Sequence, residues 1–198
     1  TNRLYILEDN TANEAVWTIA AAPTVKYALG DIGPAGGLVF YVTDDGLHGL
    51  EAAPEDIGGN DDAITIVWGC SETLLVGMNE TGVGSGAHNT SQRDLCDDPT
   101  TAAKSAAAFE HNGYFDWFLP SKEELNLMYV NLADPDGNNY NSGRSDPDNL
   151  GGFAGGFYWS STQGAEGNLA WLHSFVSGTV SSYHVKQYPY YVRAARAF

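Results

Sequence analysis

Basic side chains are scarce in this sequence. Nine Lys and Arg stand against 25 Asp and Glu over 198 residues, a net charge of −16. A surface of that sign repels nucleic acid and anionic membranes, so neither is expected as a partner. No apolar run approaches the length of a membrane-spanning helix, and no signal-peptide pattern occurs, so direct membrane insertion is not expected. Thr1 is expected to open a mature or excised piece, with any targeting signal upstream. Cysteine is nearly absent. Cys70 and Cys96 form no C-x-x-C and no Cys/His cluster, which argues against zinc. The favoured reading is a structural disulfide in an oxidising, extracellular setting, and the alternative is two free buried thiols.

Catalytic signatures are missing too. A Ser/His/Asp triad can be drawn on paper from any of the five His, but there is no G-x-S-x-G elbow, and GSGAHN is not one. His88, after that Gly-rich turn, reads as structural. Glu123-Glu124 and Asp61-Asp62 are adjacent acids in an acidic chain and carry no glycosidase signal. Gly84 and Gly86 begin a GxG without the rest of a dinucleotide fingerprint. The expectation is a protein that is not an enzyme and that needs no cofactor.

What is present suits a folded domain rich in turns. Hydrophobic residues make up 43% and aromatics 12%, enough to build a core, and 23 Gly and eight Pro supply turns. Residues 1–29 differ in pattern and read as a linker or the end of a preceding domain. Residues 30–198 read as one domain.

Within that domain, Leu38–Thr43 reads as a strand closed by Asp44-Asp45-Gly46, with HGLEAAP as its partner and Thr65–Trp68 as a third. One helix is predicted from Asp98 as N-cap and Pro99 as first residue, running to Asn112-Gly113. A second starts at Ser121, where Ser121 and Glu124 have capping-box spacing and Leu125, Met128, Tyr129 and Leu132 share a face. Residues 133–156 form a long polar loop. FYWSST, LAWLHSF, VSSYHVK and YYVRAARAF then read as four short strands. The fold class expected is α+β, with two helices and a late antiparallel sheet.

Several segments together are distinctive: GDIGPAGGLVFY, HGLEAAPED, VWGC, GSGAHNT, NGYFDWFLPSKEELNLMY, GGFYWSST, AW-x-x-x-F-x-x-G and YYVRAARAF. In this order they resemble the C-terminal domain family of collagen-like adhesins, over roughly residues 30–198. The resemblance implies a C-type-lectin-like fold, related to formylglycine-generating enzymes, and a surface-displayed binding role on a cell envelope or virion. It also implies that DWFLPSKEEL, YWSS and VRAARAF are framework. Trp117, Trp159, Trp171 and Phe175 read as core on their own account. Arg193 and Arg196, three apart on a predicted strand, are expected to face opposite sides. The oxidase relatives use late-chain cysteines; none follows Cys96 here, which argues against that activity. Multimeric adhesins of this kind are compatible with a homotrimer.

The sharpest expectation concerns the C-terminal strands. From Trp159 onward Glu166 is the one acid, against Lys186, Arg193 and Arg196, so this part reads as a near-neutral face on an acidic body. Between framework positions lie Leu172, His173, Val176, Ser177, Ser181, Ser182, Tyr183, His184, Tyr188 and Tyr190. Tyr gives rigid amphipathic contact area and Ser gives adaptable hydrogen bonds, which suits a ligand face for a protein or glycan on another surface. Related domains are diversified by retroelements at adenines of Asn-type codons, and these ten positions hold none of the residues that mechanism excludes. A fixed-specificity glycan site has the same composition, and ordinary strand positions account for any one residue alone. In the polar loop, Asp134, Asp136, Asn138 and Asn139 place oxygens around Gly137 as calcium loops do. The later bidentate Glu is missing, and Asp146 and Asp148 are the substitutes. A solvated acidic loop is the reading adopted, without metal.

Overall fold

The computed structural model describes residues 5–9, 16–19, 24–59, 64–138 and 143–198, with the backbone alone for 5–9, 16–19 and 181–183. Strands β1 (Tyr5–Asp9) and β2 (Val16–Ile19) pair antiparallel. Ahead of Gly30, Tyr27 sets its ring edge-on to Phe198 at 4.9 Å. Strand β3 (Leu38–Val42) turns at Gly46, whose φ of 72° suits glycine, into β4 (Gly49–Ala52). The last strand, β10 (Ala195–Ala197), returns to the free side of β4. Strand β5 (Ile66–Val67) pairs with β9 (Pro189–Tyr190). A three-stranded antiparallel sheet is built from β6 (Phe157–Gln163), β7 (Leu169–Ser174) and β8 (Val180–Val185). Short helices and antiparallel sheets make this an α+β chain.

The helices differ from expectation in two ways. There are three among the described residues, α1 (Ser85–Ser91), α2 (Ala102–Ala107) and α3 (Lys122–Met128). The unforeseen α1 has no apolar stripe: it buries Gly86, Asn89 and Thr90. Helix α2 begins later than Asp98. Thr101 caps it, its hydroxyl accepting from Lys104 N at 3.1 Å. The Asp98 carboxylate instead accepts from Cys70 N, and Asn112-Gly113 forms a separate tight turn between His111 and Tyr114. Helix α3 has the expected capping box at Ser121 and Glu124, then widens into one π-helical turn, Tyr129–Ala133.

Cys70 and Cys96 form a disulfide, with Cα atoms 5.6 Å apart. Closing a loop of that length stabilises a fold by about 3 kcal/mol. The final segment is a correction: YYVRAARAF is not one strand of the late sheet. Its first part runs beside β6, with Trp159 N donating to Tyr191 O, and its end joins β4. Arg193 lies before β10, and both Arg193 and Arg196 are buried.

Two apolar clusters fill the interior. One gathers Trp68, Trp117, Trp159, Leu172 and Val192; the other gathers Phe40, Tyr129, Phe153, Tyr158 and Phe175. The sheet β6-β7-β8 lies between them, so both of its faces are largely covered. Three buried carboxylates join the pieces. Glu51 accepts from Ala35 N, Gly37 N and Arg196. Gly37 must be glycine, because a Cβ there would lie 2.2 Å from the Ala52 carbonyl oxygen. Glu124 accepts from Ser121 N, Gly84 N and Gly86 N, holding α1 against the start of α3. Asp56 takes Arg193 Nε at 2.7 Å, the Tyr158 hydroxyl at 2.8 Å and the Arg144 guanidinium.

Removing one partner of a buried ion pair costs roughly 3–5 kcal/mol, whereas replacing both with apolar groups is often neutral. Asp56→Asn is therefore expected to lower the urea midpoint sharply. Asp56→Leu combined with Arg193→Met is expected to recover part of the loss. Equal midpoints for Asp56→Asn and the parent chain would show that the pair does not hold the fold.

Candidate ligand-binding face

The expected face separates into interior and surface once the strands are in place. Neighbouring residues on a strand point to opposite sides. Leu172 turns into the cluster around Trp159. His173 turns the other way, against Tyr129 at 4.7 Å and Phe175 at 5.3 Å. Both are buried, so neither meets a ligand; a sheet covered on both sides leaves no outward position there. Ser181, Ser182 and Tyr183 lie on β8, opposite a bulge, and their side chains fall outside the described residues.

The remaining positions gather at one place. Phe157, at the start of β6, His184 on β8 and Tyr190 on β9 pack mutually. Phe157 is 5.6 Å from His184 and 5.4 Å from Tyr190, and His184 is 5.7 Å from Tyr190. Tyr190 also sets its ring edge-on to the buried Trp159 at 4.9 Å. His184 Nδ1 lies 3.2 Å from the Tyr190 hydroxyl. Burial lowers the His184 pKa, which favours the neutral ring. Burial, and then Tyr188, raises that of Tyr190. Tyr188 stands in the following turn, 58% exposed, and Phe157 is 41% exposed.

Across the ladder from Phe157 sits Ser174, one end of a chain of hydroxyls centred on Ser177. Ser177 Oγ lies 3.0 Å from Ser174 Oγ and 3.1 Å from Thr179 Oγ1. Ser177, Thr179 and Val176 are exposed in the β7–β8 turn. Phe157 is absent from the expected face and reads from sequence only as the head of the strand FYWSST. The signal available was its position as first residue of a strand, before the sheet is covered on both sides. Trp171 is likewise not core: it is half-buried, with the Lys122 ammonium 4.2 Å above its ring.

Elsewhere the acidic loop does not assemble a ligand set among the described residues. Asp136 accepts from Asn138 N and Nδ2, and Asp146 accepts from Asp148 N; these are local turns. Asp134 is buried beside Tyr129, whose hydroxyl is pushed up to about 12 by burial and by that carboxylate. Asn139 lies outside the described residues. The Cys70, Cys96 and Asp98 grouping is the disulfide with its capping carboxylate. Three clefts of about 190, 230 and 280 Å³ bring no paired acids together, and the smallest borders the Tyr188 turn at Gln187. No described helix is long and apolar enough to cross a membrane.

The family model for the Lcl C-terminal domain matches residues 60–196. The chain belongs to this family. The Lcl C-terminal domain thus covers the disulfide loop, all three helices and the whole late sheet. No curated protein matches the chain. It is similar to a fimbrial protein from Bacteroides ovatus ATCC 8483, at 14% identity and a TM-score of 0.47. The likeness covers 80% of this chain and 43% of that one, so the chain spans less than half of that protein's length. So remote a likeness bears on neither fold nor function.

One buried group of this Lcl C-terminal domain makes its stability depend on pH. Burial pushes His173 down to about 4, with the Ser174 carbonyl pulling weakly the other way. An unfolded His titrates near 6.5. Between those values the unfolded chain binds a proton that the folded one refuses. Stability is therefore complete above about pH 6.5 and falls by roughly 3 kcal/mol as pH drops through 4. His173→Phe, which keeps a ring beside Tyr129, is expected to flatten that part of the curve. The comparison is urea unfolding of both chains from pH 7.5 to 4.5. Parallel curves would mean that His173 is protonated in the fold.

Proposed function

We propose that this domain is a non-enzymatic, surface-displayed binding module, and that Phe157, His184, Tyr188 and Tyr190 carry its ligand face. The observation behind this reading is the mutual packing of three rings, half-buried His184 and Tyr190 and outward Phe157, near the outward ring of Tyr188. Such rings are large, rigid and amphipathic, and cost little entropy to hold still. Their support is rigid as well, because Tyr190 rests on Trp159 and β6 is buried from Tyr158 onward. Membership of a domain family named for an adhesin supports display outside the cytoplasm, as does the disulfide.

The finer forms of the proposal follow from the resemblance. A C-type-lectin-like arrangement fits a chain whose last strand closes on an early sheet. Diversification by a retroelement would draw on Val176, Ser177, Ser181, Ser182, Tyr183, His184, Tyr188 and Tyr190, with Leu172 and His173 excluded by their burial. Its mark is an imperfect genomic repeat of the segment encoding residues 159–198, differing only at adenines; a locus without one sinks that form and leaves the binding module. A homotrimer is a separate proposition, read by light scattering of the purified chain.

The binding reading is tested on arrays of immobilised glycans and surface proteins. Tyr188→Ala and Phe157→Ala are each expected to weaken capture about tenfold, the scale of an aromatic anchor at an interface, while the urea midpoint stays within error for Tyr188→Ala. Capture at full strength by both variants would place the ligand elsewhere on the domain.

A further inference from the structure

The charge of the C-terminal part changes once burial is known. Lys186, Arg193 and Arg196 give its sequence a net positive sign, and all three point inward. The Lys186 ammonium is buried, donates to Thr73 O and Gln163 Oε1 at 2.8 Å each, and lies over the Trp68 ring. Arg193 is spent on Asp56, Ala53 O and Gly151 O. Arg196 is held by Glu51 and Asp116. None of them can reach an outside anion. Recognition of sulfate, phosphate or carboxylate needs a fork or cluster of outward cations. From residue 157 to the end the chain supplies none.

What faces outward at the Phe157 corner is rings and hydroxyls rather than charged groups. The rings of Phe157 and Tyr188 offer flat apolar surface. Ser177, bonded to Thr179 and to Ser174, which lies across the ladder from Phe157, offers with Thr179 hydroxyls that both donate and accept. A pyranose presents the matching pair: a face of C–H groups to lie on a ring, and an edge of hydroxyls for hydrogen bonds. A protein partner would need about 800 Å² of contact with an apolar centre. Two outward rings beside a small hydroxyl group suit a smaller, polar ligand.

We propose that this face takes an uncharged saccharide and rejects polyanions, without a metal ion. The inference rests on the reading of the same face as the binding surface. The test passes the whole chain over immobilised mannan, galactomannan and β-glucan, and over heparin and dextran sulfate, in low and high salt and with a chelator. At least one uncharged polysaccharide is expected to retain the chain independently of salt and chelator. Phe157→Ala is expected to weaken that retention about tenfold. Heparin and dextran sulfate are expected to let the chain pass.

Retention on heparin or dextran sulfate that salt abolishes would overturn the ligand class, as would passage through every uncharged column. If Phe157→Ala also removed the sulfated retention, the face would stand and the class alone would fall. If an uncharged polysaccharide held the parent and both the Phe157→Ala and Tyr188→Ala chains equally, the face itself would fall.

Discussion

A single buried carboxylate joins three distant parts of this domain. Asp56 follows β4 and sits wholly inside, between Arg193 near the C-terminus, Tyr158 on β6 and Arg144 in the long loop. An ionised group at that depth is tolerable only with opposite charge and hydrogen bonds around it. The condition works in both directions. Asp56 needs the late strands to be in place, and Arg193 needs the early sheet. The Arg193 guanidinium also lies 4.2 Å over the Phe153 ring, so the long loop is drawn into the same arrangement. Asn149 finishes the task by exchanging hydrogen bonds with Phe153 and donating to Gly143 O. A loop that reads as polar and exposed is thereby pinned to the core at Phe153 and Ala154.

The same economy explains the electrostatics. Four of the nine bases of this acidic chain turn inward. Arg193 and Arg196 lie inside against carboxylates, Lys186 lies inside against carbonyl oxygens, and Arg144 reaches in to Asp56. Burial pushes Lys186 down to about 8, the cost of an ammonium with oxygen partners and an aromatic ring but no carboxylate. Glu51, Asp56, Glu124 and Asp134 are buried as well, so the outward surface stays about as acidic as the net charge implies. Long-range attraction then contributes nothing to capturing an anionic partner, and contact chemistry has to decide what binds.

The parts of this fold that could be read from sequence are those set by local chemistry. Ser121 and Glu124 satisfy each other's backbone within four residues, so α3 starts where the spacing says. The β3–β4 hairpin is likewise local, closed by Gly46. What escaped depends on partners far along the chain. Asp98 looks like a helix cap, yet its carboxylate is taken by Cys70 N across the disulfide, and Thr101 caps α2 instead. Helix α1 has no periodic apolar face to detect; Glu124, 38 to 40 residues later, holds its first turn. Leu172 and His173 both read from sequence as ligand-face positions on a strand. A strand pattern says nothing about what covers its second face, and α3 and the Tyr129 turn cover it here.

Phe157 shows how the scaffold and the face become one problem. The tyrosine and the tryptophan that follow it are buried on opposite sides of β6, one bonded to Asp56 and the other to the Ile66 carbonyl. The strand therefore cannot rotate or slip without breaking a buried hydrogen bond on either side. Phe157 is the last residue before both covers end, so its direction is dictated by the two residues behind it. Tyr190 is fixed in the same way from β9, through its ring contact with Trp159 and its pairing with Ile66. Side chains at the rim, Tyr188, Val176 and Ser177, are under no such constraint. Substitutions there leave the buried ties untouched, so this corner of the domain can change what it contacts while the backbone that presents it stays in place.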